Sequence, residues 1–110
     1  MAQQSIEALY AAALARKNNP QECSYTDYLY QKGLDKILKK VGEESTEVIL
    51  GAKNNNDELI YETADLFFHL MVLLVEKNVT LDDIKNELGS RIGQQSQLHE
   101  RQDWRGDEQK

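Results

Sequence analysis

Proline occurs once in this chain, at position 20, and on both sides of it the apolar residues recur at intervals of three and four, with no run that alternates apolar and polar. That spacing is the mark of helices with one buried face, and it leaves no segment with the period of a strand. The expected fold class is all-α: an antiparallel bundle of four to five helices. A chain of 110 residues makes one domain with a modest core, and self-association is a natural remedy for the apolar surface left over.

The helices can be placed by their caps and breakers. The first runs from about Ser5 to Lys17, with Ile6, Leu9, Tyr10, Ala13 and Leu14 on one face, and Asn18-Asn19-Pro20 ends it. Ser24 is the expected cap of a short segment, with Asp27 three residues on to complete a capping box, and Gly33 breaks the chain after Lys32. A long helix from about Leu34 to Lys53 carries an inward stripe of Leu34, Ile37, Leu38, Val41, Ser45 and Val48. The polar turn Lys53–Asp57 is short enough to make the following helix an antiparallel neighbour. That helix, about Glu58 to Lys77, is expected to bury Leu59, Thr63, Leu66, Phe67, Leu70 and Leu74. A last one opens at Thr80, with Asp83 three residues on and Ile84, Leu88 and Ile92 as its apolar positions. Residues 1–93 read as the folded domain and 94–110 as a polar tail, in which Trp104 is a packing residue and His99 lacks a visible partner.

Charge narrows the function classes. Nineteen acidic residues against 13 basic ones give a formal charge of −6, which repels a polyphosphate backbone and argues against nucleic-acid binding. The N-terminus lacks the pattern of a secretory signal, and no apolar stretch reaches membrane-spanning length, so a cytoplasmic protein without a membrane partner is expected. Cys23 is the single cysteine, which excludes an intramolecular disulfide and a cysteine-based zinc site.

The chemistry lies on the two long helices. One carries Glu43-Glu44-Ser45-Thr46-Glu47 and the other Glu62-Thr63-Ala64-Asp65. Acids three residues apart share a helix side, and at about 100° per residue these sides border the apolar stripes. One such pair is common on a solvated face. Two matching sets on adjacent helices, both at the border of the core, are not. Converging carboxylates raise one another's pKa unless a cation sits among them, and hard divalent cations take oxygen ligands while binding phosphate oxygens. An acidic protein can hold an anionic phosphate in this way. Glu58 reads as a first-turn acid suited to the helix dipole. His69 reads as a residue that orients a carboxylate from behind the site rather than as a ligand. Lys36 and Lys40 share the acidic flank, and Lys32 lies at the kink; all three are candidates to contact phosphates.

Taken together, Ser24-Tyr25-Thr26, the run from Lys32-Gly33 to Gly42-Glu43-Glu44, Glu47, and Glu62-x-x-Asp65-Leu66-x-x-His69-Leu70 resemble the all-α nucleoside triphosphate pyrophosphatases, the superfamily of the MazG proteins and dimeric dUTPases. Within it they are most similar to the phosphoribosyl-ATP pyrophosphohydrolase family, from about Ile6 to Ile92. The resemblance implies hydrolysis of phosphoribosyl-ATP, a small-molecule nucleotide substrate, to phosphoribosyl-AMP and pyrophosphate in histidine biosynthesis. It implies an obligate homodimer with a bundle core built from both chains. It also implies a separate cyclohydrolase for the product, since this chain lacks the cysteines that enzyme needs. On this basis Glu44, Glu47, Glu62 and Asp65 are expected to hold Mg2+, with Mn2+ a possible substitute, and to activate water. Glu43, Glu44 and Glu47 are the catalytic candidates, with Glu43 as general base, and Lys32, Lys36, Lys40 and Ser24 the substrate-binding ones. Ser45-Thr46 stands where smaller residues are expected, and Gly51 interrupts a helix that alanine would suit better. The alternatives are a house-cleaning nucleotide pyrophosphatase of the same superfamily and a non-catalytic, metal-stabilised helical interaction module.

Overall fold

Five helices make up the regular structure in the computed structural model, which describes residues 2–94: α1 Ile6–Asn18, α2 Tyr25–Lys32, α3 Leu34–Asn54, α4 Asn56–Glu76 and α5 Leu81–Ser90. Among the described residues there is no strand. Trp104, His99 and most of the expected polar tail lie outside the described residues. The chain divides into two units, the first ending at Thr80 and the second beginning at Leu81.

In the first unit, α1 begins where Ser5 accepts a hydrogen bond from the Ala8 N–H at 3.0 Å, as its capping chemistry predicts. Glu7 in its first turn and Arg16 and Lys17 in its last complement the helix dipole. Three side chains tie α1 to its neighbours. The Tyr10 hydroxyl donates to the Val79 carbonyl at 2.8 Å, Lys17 pairs with Glu76 at 2.8 Å, and the Tyr30 hydroxyl donates to the Ala13 carbonyl at 2.8 Å. Burial, reinforced by the Glu76 carboxylate, pushes the Tyr30 phenol up to about 12, so it stays a donor.

The α2 cap departs from the sequence expectation. Ser24 accepts from the Asp27 N–H at 3.2 Å, but Asp27 does not reach back to Ser24. The Ser24 N–H is already donated to the Gln21 carbonyl at 3.3 Å. The buried Asp27 carboxylate accepts from the Gln21 N–H instead and closes the linker turn. Gly33 then joins α2 to α3 at φ 91°, ψ −174°, a conformation essentially confined to glycine.

The hairpin of α3 and α4 has the most extensive packing in the chain. Its connection is tighter than the expected five-residue turn, since Asn55 alone separates the helices. The Asn55 side chain accepts from the Glu58 N–H at 2.9 Å, and Asn54 donates to the Glu58 carboxylate at 2.8 Å. Gly51 explains the tightness. A Cβ there would lie 3.1 Å from the Glu58 carbonyl carbon and oxygen and 3.2 Å from the Leu59 nitrogen. The glycine that looked ill-suited to a helix is what lets α4 turn back so closely. Ser45 and Thr46 direct their hydroxyls to the carbonyls of Val41 and Gly42, at 2.8 and 3.2 Å, a local bond open to both residue types in a helix.

The apolar side chains buried most deeply are Ala13, Leu29, Ile37, Met71, Val72 and Val75. Two stripe expectations fail. Leu38 and Phe67 are exposed, and α4 turns His69, Met71, Val72 and Val75 inward instead. The cause is that α4 packs on α1 as well as α3, and its Leu66–Val75 stretch is apolar nearly all round, so periodicity alone cannot say which side faces in. In the second unit, α5 carries Asp82 and Asp83 in its first turn, and Arg91 pairs with Glu87 at 3.1 Å.

These contacts make Gly51→Ala destabilising although alanine is the better helix former by about 1 kcal/mol; thermal unfolding is expected to move to lower temperature. Gly33→Ala, with open space around it but the wrong φ, is expected to cost about 1–3 kcal/mol in urea unfolding. A gain in stability from either substitution would contradict the geometry.

Candidate functional site

Because α3 and α4 run antiparallel from so short a turn, Glu44 on α3 comes to face Asp65 and His69 on α4. Each of the three offers one ligand-type atom, and these atoms lie within 4.8 Å of one another. Glu44 is buried, Asp65 half-buried, and His69 only 2% exposed.

His69 is held at both nitrogens. Its Nδ1 lies 2.8 Å from the Asp65 carbonyl oxygen, and its Nε2 lies 2.9 Å from the Tyr25 hydroxyl. A carbonyl only accepts, so the proton sits on Nδ1 and Nε2 accepts from Tyr25. Aromatic rings wall it in: Tyr25 and Phe68 each meet the imidazole edge to face, with centroids 5.7 and 5.0 Å away. Tyr25 in turn stacks on Phe68 at 6.0 Å and on Tyr28 at 6.1 Å.

The electrostatics follow from crowding. A hydrogen bond to the Asp65 carboxyl is the largest cause raising the Glu44 pKa from 4.5 to about 7; burial and the Asp65 and Glu62 charges add to it, and Lys40 opposes them. Crowding against Asp65 therefore disfavours the ionised form of Glu44. Glu62, half-buried, is also raised, first by desolvation and then by Glu47, Asp65 and Glu58. Lys40 is 3.3 Å from Glu43. Burial alone would lower its pKa, but the hydrogen bond to Glu43 and the negative charge around it, including Glu44, hold it above the ordinary value.

The sequence-expected residues are thus placed unequally. Glu44 and Asp65 meet, and His69, expected to stand behind the site, lies in the same 4.8 Å group with them. Glu62 and Glu47 lie within electrostatic range of each other, Glu47 exposed to solvent. Glu43 is exposed and engaged with Lys40. Lys32 and Lys36 both lie over the Tyr28 ring, each ammonium 5.8 Å from its centroid. Ser24 caps α2, and its own O–H remains available to donate. Tyr25 entered the sequence reading only within the Ser24-Tyr25-Thr26 run, with no role assigned, and Tyr28 was not singled out as a site residue. Tyr25 reaches a histidine 44 positions away, a relation that no local spacing encodes.

Two carboxylates crowded in this way form a site for which a hard cation competes, and the surrounding donors are carboxylate oxygens. The helical hairpin and its carboxylate pair define an all-α protein with an acidic site suited to a divalent cation. Comparison with known proteins carries this further. The family model described as phosphoribosyl-ATP pyrophosphohydrolase matches residues 6–91. A phosphoribosyl-ATP pyrophosphatase of Leuconostoc mesenteroides is 81% identical over 107 residues, covering 97% of this chain and 94% of that protein. One of Limosilactobacillus fermentum is 65% identical over 99 residues, covering 89% of this chain and 93% of that protein. A histidine biosynthesis bifunctional protein of Caldanaerobacter subterraneus is 61% identical over 87 residues, covering 78% of this chain but 42% of that protein. The chain belongs to the phosphoribosyl-ATP pyrophosphohydrolase family, and it is a hydrolase.

The raised pKa of Glu44 sets a pH dependence. In divalent-free buffer, between pH 4.5 and 7, unfolded chains have lost the Glu44 proton while folded ones keep it. Unfolding free energy therefore falls as pH rises through that window, by at most about 3 kcal/mol from this group. Urea unfolding of the wild type and Glu44→Gln across the window is expected to show a slope that the variant loses; parallel curves would contradict the coupling.

Proposed function

We propose that this chain hydrolyses phosphoribosyl-ATP to phosphoribosyl-AMP and pyrophosphate, the second step of histidine biosynthesis, at the Glu44–Asp65 site, in the cytoplasm. The observation that carries the reading is the meeting of Glu44, Asp65 and His69 within 4.8 Å across the α3–α4 hairpin, in a chain whose relatives bear that activity in their names. The catalytic domain comprises residues 1–93.

Glu44, Glu47, Glu62 and Asp65 would hold Mg2+, or Mn2+ in its place. When bound, the ion would offset triphosphate charge and lower the pKa of a water molecule. The remaining roles belong to the chain. Glu43, exposed and restrained by Lys40, takes the proton of the water that attacks the α–β phosphoanhydride. Lys32, Lys36 and Lys40 meet phosphates outside the carboxylate group, and the Ser24 O–H donates to the substrate. His69 keeps the Asp65 segment in place through its bond to the Asp65 carbonyl. Phosphoribosyl-AMP passes to a cyclohydrolase.

A homodimer completes the core. Ile60 and Tyr61 are 67% and 69% exposed, and Ile49 and Leu50 on α3 are likewise open to solvent. Apolar surface of this extent on a small chain favours burial against a second copy. Ile60→Asp is accordingly expected to shift the mass measured by light scattering from dimer to monomer and to lower activity. A wild type that is monomeric at micromolar concentration would remove this part of the proposal.

The activity is tested by following pyrophosphate release from phosphoribosyl-ATP, ATP, dUTP and dCTP, with and without Mg2+. Release from phosphoribosyl-ATP alone, requiring Mg2+ and lowered at least about a hundredfold in Asp65→Ala, is the expected result. Preference for an ordinary nucleotide would assign a house-cleaning role instead. No release from any substrate by a folded dimer would leave a non-catalytic interaction module.

A further inference from the structure

Lys32 ends α2 and Lys36 lies in the first turn of α3, yet both ammoniums are 5.8 Å from the centroid of one ring, that of Tyr28. Among the described residues neither lysine has a carboxylate within ion-pair distance, although the chain as a whole carries a charge of −6. A cation–π contact at an exposed ring is weak, and two ammoniums drawn to the same ring repel each other. The pair therefore keeps most of its capacity for an anion. Lys40 is different. It is bonded to Glu43 at 3.3 Å, and the Glu44 charge acts on it as well.

Tyr28 stands beside the carboxylate site without belonging to it. Its ring stacks on Tyr25 at 6.1 Å, and the Tyr25 hydroxyl meets His69. Burial raises the Tyr25 phenol, and the charges of Lys40, Asp65 and Glu44 act on it too. Along α3, Lys36, Lys40 and Glu44 follow one another at four-residue spacing on one flank. Position 36 is thus about 12 Å from position 44 along the helix axis. The proposed substrate has a matching form. Phosphoribosyl-ATP carries phosphate at two ends, a triphosphate on the ribose of ATP and a monophosphate on the added ribose, with the base between them. When the triphosphate lies at the carboxylates and Lys40, an extended substrate carries its monophosphate two sugars and a base away, beyond the reach of Lys40.

We propose that Lys32 and Lys36, gathered by the Tyr28 ring, form the subsite for the terminal monophosphate of the phosphoribosyl group and so distinguish phosphoribosyl-ATP from ATP itself. The two ammoniums donate N–H bonds to the phosphate oxygens. Tyr28 is a positioning residue that acts through them. The lysines of the acidic flank are thereby divided, Lys40 for the end that is cleaved and Lys32 with Lys36 for the end that is recognised. The inference rests on the reading of phosphoribosyl-ATP as the substrate.

The test compares kcat and KM for phosphoribosyl-ATP and for its analogue with a hydroxyl in place of the terminal monophosphate. The proteins are the wild type, Lys32→Gln/Lys36→Gln, Tyr28→Leu and Tyr28→Phe, each first shown to be folded by thermal unfolding. The wild type is expected to prefer phosphoribosyl-ATP in kcat/KM. In the double lysine variant that preference is expected to fall roughly ten- to a hundredfold, mainly through KM. Tyr28→Leu is expected to show a smaller loss of the same kind, and Tyr28→Phe, which keeps the ring, to retain the preference. A wild type that turns over both compounds equally, or a lysine variant that loses the same factor on each, overturns the subsite while leaving the hydrolytic reading intact. Wild-type preference in Tyr28→Leu overturns the part given to the ring. A folded wild type that releases pyrophosphate from neither compound overturns the substrate reading and this inference together.

Discussion

The close approach of Glu44 and Asp65 is the constraint to which the rest of the molecule is fitted. Two carboxylates, one buried and one half-buried, do not meet unless the backbone forces them to. The forcing element is the α3–α4 hairpin, closed by Asn55 alone and drawn tight at Gly51, where even a methyl group would press on the Glu58 carbonyl. The hydrogen bond to Asp65 and burial lift Glu44 to about 7, so that it keeps its proton more readily than a free carboxyl. A divalent cation can replace that proton, and the energy held in the crowded pair then favours metal binding rather than opposing the fold.

Around this pair the short helix α2 does more than complete a bundle. Its cap at Ser24 and the Asp27–Gln21 bond fix its start, and Gly33 fixes the angle at which it meets α3. The result is a row of rings, Tyr28, Tyr25 and Phe68, of which Tyr25 and Phe68 meet the imidazole of His69 edge to face. The lysines that the acidic chain needs for an anionic ligand stand on the same side, Lys32 and Lys36 over Tyr28, and Lys40 beside Glu43. Positive charge is thus concentrated at one edge of the carboxylate group although the chain as a whole is acidic, an arrangement suited to a polyphosphate bound partly by lysine and partly through a cation.

Much of this was legible in the sequence, and the reasons are specific. Helix positions followed from caps and breakers: Ser5, Ser24, Gly33 and the asparagines at 54–56 mark boundaries through local chemistry that the structure retains. The meeting of Glu44 with Asp65 was legible because a short turn and two matching spacings leave few ways to pack the hairpin. Other features depend on contacts between distant segments. The inward side of α4 could not be read, since Leu66–Val75 is apolar almost throughout and two helices compete for it, so Phe67 was misplaced. Gly51 looked like a weak point because its reason for being there lies on the partner helix. Tyr25 carried no signal of its own beyond a family-like run, since its partner is His69 on another element. The Asp27 box failed because a turn had already used the N–H it required.

The claim that the Glu44–Asp65 pair exchanges the Glu44 proton for a cation is tested most directly by counting protons released on Mg2+ binding, by calorimetry at pH 6 in buffers of different ionisation enthalpy. Since Glu44 is held near 7 in the free chain, about one proton is predicted to leave per ion bound, and Glu44→Gln is predicted to abolish the release. Binding that releases no proton, or release that persists in the variant, would contradict the account.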